Sequence, residues 1–186
     1  MLSDKARLYV ALYARGGKSV MPGGEDKYHW ALLVGPKSEN DGSGGKRYHA
    51  KEKMVSVQGE VQSQWAYEER EISMAATSMI LVRVVIGKIK DRLRLVSILE
   101  SIQIRASQPG WNCVGWIQEA LEILAKDGKA LGTSVTDWKT IRDTVLWYVQ
   151  HKEAEHRFDG RAQPGQFDNT KVPTYDLVDK RTETTP

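Results

Sequence analysis

The sequence predicts an α+β domain in which an antiparallel sheet of about five strands packs against helices. Short segments rich in β-branched and aromatic residues, separated by Gly- and Pro-containing loops, fill the first half of the chain. Segments with apolar residues at helical spacing fill much of the second half. The chain has 186 residues, 40% hydrophobic and 27% charged, and this length and composition are typical of a single globular domain.

The predicted strands follow one another along the first half. "ARLYVALYA" (6–14) ends at the breaker "RGG", and "YHWALLVGP" (28–36) lies between two polar, Gly-rich loops. A short strand is expected at "RYHAKE" (47–52), and another at "WAYEEREI" (65–72). The last, "SMILVRVVIGKI" (78–89), is apolar enough to be central in the sheet.

Three helices are predicted after the strands. The first follows "DRLRLVSILESIQI", with Asp91 as a plausible N-cap. The second follows "WNCVGWIQEALEIL", where Asn112 in the capping position would put Cys113 in the first turn and Gly128 provides the stop. The third begins near Thr136 or Asp137 and carries apolar residues at helical spacing.

These elements place the domain within residues 1–156. From Arg157 onward the segment 157–186 is polar, contains Pro and Gly and shows no periodicity, so it is predicted to be a polar C-terminal tail. Residues 1–7 lack the basic-then-apolar order of a secretory signal, which favours an intracellular, cytoplasmic protein.

Charge and hydropathy exclude two classes of partner. The net charge is only +3, and basic residues alternate with acidic ones, so the chain lacks the concentrated positive field of a nucleic-acid groove. No apolar run approaches the roughly 20 residues that cross a bilayer, so no integral membrane association is expected.

Cys113 is the only cysteine in the chain, and its position predicts a nucleophile. Unpaired N–H groups and the positive end of the helix dipole stabilise a thiolate at a helix N-terminus. A thiol nucleophile also needs a nearby base, and His29 and His49 lie on consecutive predicted strands that can place their rings side by side. The alternative is that Cys113 is a buried core residue and that each histidine is a half-buried strand residue.

The motifs "YHWALLVG", "YHA" and "WNCVGW", in this order, resemble the permuted papain-like fold of the NlpC/P60 superfamily. The resemblance is greatest to its lecithin:retinol acyltransferase-like and H-box acyltransferase branch, and it spans about residues 28–121. It implies that Cys113 attacks an acyl carbon, that His29 transfers the proton and that His49 orients His29. The candidate substrate-binding and oxyanion residues are Asn112, Trp111, Trp116 and Tyr28, with core packing as the alternative for both tryptophans.

The function expected from these residues is that of a thiol-dependent hydrolase or acyltransferase, similar to a cysteine peptidase or amidase, with a thioester intermediate. Its substrate would be a peptide, another amide or an acyl ester. Amides are favoured because "VMPGGEDK" replaces the usual entry to the His-Trp strand of lipid-acting members and no hydrophobic anchor follows. The alternatives are a non-catalytic binding module on the same fold and a lipid acyltransferase or phospholipase.

No cofactor is expected. A zinc site formed by Cys113, His29 and His49 has acceptable ligand types, but the chain has no CxxC or HxxxH spacing to support it. The stretch "GSGGKR" lacks the Ser or Thr that would complete a phosphate-binding loop. The sequence does not predict an oligomeric state.

Overall fold

One mixed sheet organises the fold. In the computed structural model, which describes residues 6–186, its strands follow the order β4-β3-β2-β1-β5-β7-β8, with β6 also paired to β5. The strands are β1 (Arg7–Ala14), β2 (Tyr28–Gly35), β3 (Gly44–Val57), β4 (Glu60–Ser73), β5 (Ile80–Ile89), β6 (Leu131–Ser134), β7 (Thr174–Asp176) and β8 (Thr182–Thr185). All pairings are antiparallel except that of β5 with β7. The α+β class is confirmed.

The five predicted strands are all present, but the prediction of about five strands was too low. The described residues form eight strands, and the additional β6, β7 and β8 contain only four, three and four residues. Strands this short and polar show too few alternations for a periodic pattern to reveal them. The prediction that the N-terminus carries no secretory signal concerns Met1–Arg7, of which residues 1–5 lie outside the described range.

Strands β3 and β4 are longer than the sequence pattern indicated, because they form one continuous hairpin. Val57 pairs with Glu60 across a two-residue turn at Gln58 and Gly59, whose φ angles are 51° and 85°. Positive φ at both central residues is the backbone of a type I′ turn, which matches the twist of the flanking strands. The end of this hairpin nearest the turn projects from the sheet and is exposed on both faces.

The three predicted helices are confirmed, as are the predicted N-caps Asp91 and Asn112 and the stop at Gly128. Helices α1 (Arg92–Ser101), α2 (Cys113–Asp127) and α3 (Trp138–Ala154) begin after the side-chain caps Asp91, Asn112 and Asp137. Gly128 ends α2 in the left-handed conformation, with φ 61°. No helix within residues 6–186 combines the length and apolar character needed to cross a bilayer.

The helices cover only one face of the sheet. Successive residues of a strand point to opposite faces, so Trp30 and Leu32 of β2 pack into the large core beneath the helices together with Cys113. Ala31 and Leu33 point the other way, into a smaller apolar cluster with Tyr9, Ala11, Tyr13, Met74 and Val85. The two faces of β2 therefore lie in different environments.

The segment after Arg157, predicted to be a polar tail, is instead part of the sheet. β7 lies parallel to the centre of β5, and β8 returns against β7. The fully buried ammonium of Lys152 on α3 is 2.6 Å from carboxylate oxygens of both Glu155 and Glu183. These contacts order the segment. They involve residues distant in the sequence, so the local periodicity of the segment does not reveal them.

We expect Glu183→Ala to destabilise the protein by about 1.5–3 kcal/mol, because Lys152 loses a charged partner in a buried environment. The hydroxyl of Tyr148 also loses the nearer of its two acceptors, Glu183 Oε2 at 2.7 Å, and keeps the carbonyl of Thr185 at 3.2 Å. Urea unfolding measures the change. Glu60→Ala, in the exposed hairpin turn, is the matched control and should leave stability within about 0.5 kcal/mol of wild type; equal effects of the two variants would contradict this account.

Candidate functional site

Cys113 is the first residue of α2 and lies almost completely within the protein. Only 1% of the residue is exposed. Asn112 precedes it as the N-cap, and its Oδ1 accepts a hydrogen bond from the backbone N–H of Val114 at 2.9 Å. The sequence therefore places the sulfur at the end of the helix where backbone donors are unpaired.

Two opposing effects act on the Cys113 thiol. Burial raises its pKa, and this is the larger effect. The backbone N–H of Trp30, the charge of Arg15 and the first two N–H groups of α2 act in the opposite direction, because they stabilise a thiolate. The net pKa of the thiol is raised, so the resting sulfur is protonated at neutral pH.

The loop between β1 and β2 packs against the start of α2. The carboxylate of Asp26 organises it by accepting hydrogen bonds from the Ser19 hydroxyl and from the backbone N–H groups of Val20 and Met21. Met21 in turn receives the Asn112 side-chain amide on its sulfur at 3.5 Å. Arg15 donates to the backbone carbonyl of Asp26 at 2.7 Å, which holds its charge near Cys113.

His29, His49 and Glu68 form a hydrogen-bonded chain across three strands. His29 Nε2 lies 2.6 Å from His49 Nδ1, and His49 Nε2 lies 3.1 Å from Glu68 Oε1. The register explains this arrangement: His49 is directly opposite Glu68, and extending the β2–β3 pairing places His49 opposite Ala31, next to His29 on the same face.

The chain of contacts fixes which nitrogen atoms carry protons. The carboxylate of Glu68 can only accept, so His49 donates through Nε2–H and its Nδ1 is an acceptor. His29 must then donate through Nε2–H. Its Nδ1 is left with a free lone pair, which is the state required of a base.

The electrostatics keep both imidazoles neutral. Burial lowers the pKa of His29 to about 3, with help from His49 and from the positive charge of Arg47. Burial likewise lowers the pKa of His49 to about 4, although Glu68 opposes this shift. For Glu68, burial favours the neutral acid, but hydrogen bonds from His49 and Lys51 outweigh it and lower the pKa to about 2.

The sulfur and the imidazoles approach β2 from different directions. Trp30 points into the core that contains Cys113, whereas the preceding His29 points to the other face and contacts the ring of Tyr13, 6.2 Å away between centroids. The N–H of Trp30 nevertheless interacts with the sulfur, so Cys113 lies against the backbone of the His29–Trp30 segment. Within residues 6–186, no hydrogen bond joins the sulfur to either imidazole.

The remaining predicted site residues occupy three different environments. Trp111 is partly buried and packs edge-on against Trp65, with ring centroids 5.6 Å apart. A Cβ atom at Gly115 would lie only 3.2 Å from the Trp111 ring, so glycine there allows the close packing. Trp116 is fully buried, and Tyr28 is buried with its hydroxyl bonded to Glu153 at 2.9 Å. Both are packed in the core in this structure, and their role as substrate contacts stays a prediction.

Sequence reasoning missed Glu68 and Arg15. Glu68 belongs to the charged run "EEREI", and only the register of β3 against β4 distinguishes it from its neighbours. Arg15 follows the last residue of β1 and opens the breaker "RGG", which gave no functional signal. Within residues 6–186, no three His, Cys, Asp or Glu side chains are arranged to hold a metal ion.

Fold and site together define an α+β protein with a buried cysteine in the first turn of a helix and a Glu-His-His chain on the neighbouring strands. The model of a family of unknown function (DUF6914) matches residues 5–185, so the protein belongs to that family. This match includes the C-terminal segment that completes the sheet. No curated protein and no solved structure gives a significant match.

The two histidines make stability depend on pH. Their folded pKa values lie below the unfolded value of about 6.5, so the unfolded chain binds more protons as the pH falls below that value. Their stabilising contribution is therefore complete above pH 6.5 and is lost as the pH falls toward 4. We expect the free energy of unfolding to decrease by up to about 1.4 kcal/mol per pH unit for each histidine.

Urea unfolding between pH 7 and pH 5, followed by tryptophan fluorescence, tests this dependence. His49→Gln should remove a large part of the slope, and His151→Gln, which changes an exposed histidine, should leave it intact. A slope that is the same in wild type and His49→Gln would show that these imidazoles are not the groups responsible.

Proposed function

We propose that the protein is a thiol-dependent hydrolase or acyltransferase in which Cys113 is the nucleophile and His29 the general base. The observation that carries this proposal is the Glu68–His49–His29 chain, which leaves Nδ1 of His29 unprotonated. The next residue, Trp30, directs its backbone N–H toward the sulfur of Cys113. A base oriented by further groups beside a nucleophile is the arrangement that covalent catalysis requires.

A permuted papain-like fold is part of the same proposal. Its support is the order of the elements: β2 carries the first histidine, β3 the second, and α2 begins with the cysteine. The antiparallel pairing of β2 with β3 and the packing of α2 on both strands agree with that arrangement. Helix-sheet packing by itself is common to many α+β proteins, so the support comes from the positions of the three side chains.

The reaction proceeds by acyl transfer through sulfur. His29 Nδ1 takes the proton from the Cys113 thiol as the sulfur attacks the carbonyl carbon of the substrate, forming the C–S bond. The oxyanion is stabilised by the unpaired N–H groups at the start of α2. As the C–N or C–O bond breaks, His29 returns the proton to the leaving group. Water or another nucleophile then cleaves the thioester.

Because the pKa of the resting thiol is raised, the thiol loses its proton during the attack on the substrate and not before it. A neutral imidazole receives the proton only as the sulfur reaches the substrate. Because no hydrogen bond joins the two groups in this structure, the proposal requires that one form in the substrate complex. The preference for amide substrates rests on the sequence, in which "VMPGGEDK" replaces the usual entry to the His-Trp strand of lipid-acting members.

The acyl-transfer step can be tested with p-nitrophenyl acetate as a generic acyl donor. We expect p-nitrophenol release and an acetyl group on Cys113 that hydroxylamine removes, because a thioester is labile to that nucleophile. Intact-mass analysis and peptide mapping measure the adduct, and the single cysteine makes its assignment unambiguous. Cys113→Ser should lose the thioester, and His29→Ala should acylate at least roughly 100-fold more slowly.

His151→Ala is the matched control, since it removes an imidazole that is distant in sequence and exposed. It should acylate at the wild-type rate. A folded wild-type protein that forms no adduct on Cys113, or an adduct that forms equally fast in His29→Ala, would overturn the proposal.

The positioning role of Glu68 gives a separate prediction. Glu68→Gln should slow acylation by roughly tenfold or more, because a neutral amide no longer fixes the His49 tautomer as strongly. It should also change how the remaining rate depends on pH, because the Glu68 carboxylate acts on the pKa of His49. A purely structural role of Glu68 would leave this pH profile unchanged. Glu69→Gln is the control, because it makes the same substitution one residue away, on the other face of β4; a rate loss equal to that of Glu68→Gln would contradict the relay.

A non-catalytic interaction module is the second candidate, and two observations favour it. Cys113 is buried and its pKa is raised, which suits an inert thiol. The projecting β3–β4 hairpin also exposes the apolar residues Met54 and Val61, at 71% and 69% of their surface. Thiol reactivity separates the candidates: alkylation by iodoacetamide that depends on His29 supports the enzyme, whereas alkylation that requires global unfolding supports the module.

A further inference from the structure

A second polar constellation lies on the face of the sheet without helices. Arg47 on β3 and Arg70 on β4 are directly opposite each other, so their side chains share that face. Both line a cavity of about 340 Å³ together with Tyr13. Like charges directly opposite on neighbouring strands destabilise a sheet unless another group compensates for them.

The compensation within the described residues is incomplete. Arg47 lies 5.2 Å from the ring centre of Tyr13 and 3.6 Å from Glu68, but its buried Nε has no hydrogen-bond partner. The side chain of Arg70 makes no ion pair or hydrogen bond with any residue of the described range. Glu71 is the one acidic residue in the cavity lining, so the two arginines outnumber it.

We propose that this cavity is a binding site for a small oxyanion, a carboxylate or a phosphate group. Guanidinium groups recognise both through paired N–H donors, and an anion between Arg47 and Arg70 would remove their repulsion. The cavity volume is at the lower end of the range for small-molecule sites. Tyr13 joins the cavity to the His29 ring, so the site adjoins the Glu68–His49–His29 chain, yet anion binding requires no chemistry at Cys113.

Titration calorimetry and thermal unfolding at pH 7 and low ionic strength test the site with sodium phosphate and sodium succinate. Sodium chloride at matched ionic strength controls for screening. We expect at least one of the two anions to bind and to raise the unfolding temperature. The anion that binds with the higher affinity shows whether the site prefers a phosphate or a carboxylate group. Binding of neither one beyond the chloride control would overturn the proposal.

Two variants locate the binding. Arg70→Gln should weaken it at least tenfold and should also raise the unfolding temperature of the anion-free protein, because it removes the repulsion with Arg47. Arg161→Gln, which deletes an exposed arginine outside the cavity, is the matched control and should bind as wild type does. An equal loss of affinity in Arg70→Gln and Arg161→Gln would show a general charge effect and would overturn the proposed site. Arg47→Gln should also weaken anion binding at least tenfold. If Arg47→Gln does not fold, the result for Arg70→Gln decides the test.

Discussion

The hydrogen bond between His29 and His49 depends on the pairing of β2 with β3. The two rings meet because a strand repeats its side-chain direction every second residue, so the register decides whether these imidazoles share a face. A slip by one residue would separate them and would also bury the charged side chains of β3. The apolar residues of β2 on both faces hold the register, since Trp30 and Leu33 belong to different cores. The polar chain is thus held in place by apolar packing.

The environment of Cys113 illustrates how a helix terminus and a core compete for one side chain. The N-terminal N–H groups of α2 favour negative charge on the sulfur, and the surrounding apolar residues disfavour it. Burial has the larger effect in the substrate-free protein. The proposed proton transfer to a neutral imidazole is compatible with this balance, because transfer between two neutral groups creates charge only while the reaction proceeds.

The helices, their caps and the five longer strands were predictable because each is encoded locally. Asp91, Asn112 and Asp137 cap helices through contacts within three residues, and Gly128 ends one through its own conformation. Residues 157–186 were predicted to be a tail, because the pairing of β7 with β5 joins positions about ninety apart, as in the contact of Arg83 with Thr174. Within the site, the histidine motifs and Cys113 were visible in the sequence. Glu68 was not, since identity alone does not distinguish it from Glu69, and the burial of Trp116 and Tyr28 depends on tertiary packing.

The parallel pairing of β7 with β5 has a consequence for how the chain folds during synthesis. β5 is apolar and central, yet the strand β7 that covers part of its second edge follows it by about ninety residues, as in the contact of Arg83 with Thr174. Until β7 is in place, the backbone of β5 offers open pairing sites to other nascent chains. The many contacts between residues far apart in the sequence further slow the search for the native topology. A high concentration of nascent chains therefore favours misassembly through this edge, and pairing with β7 closes it.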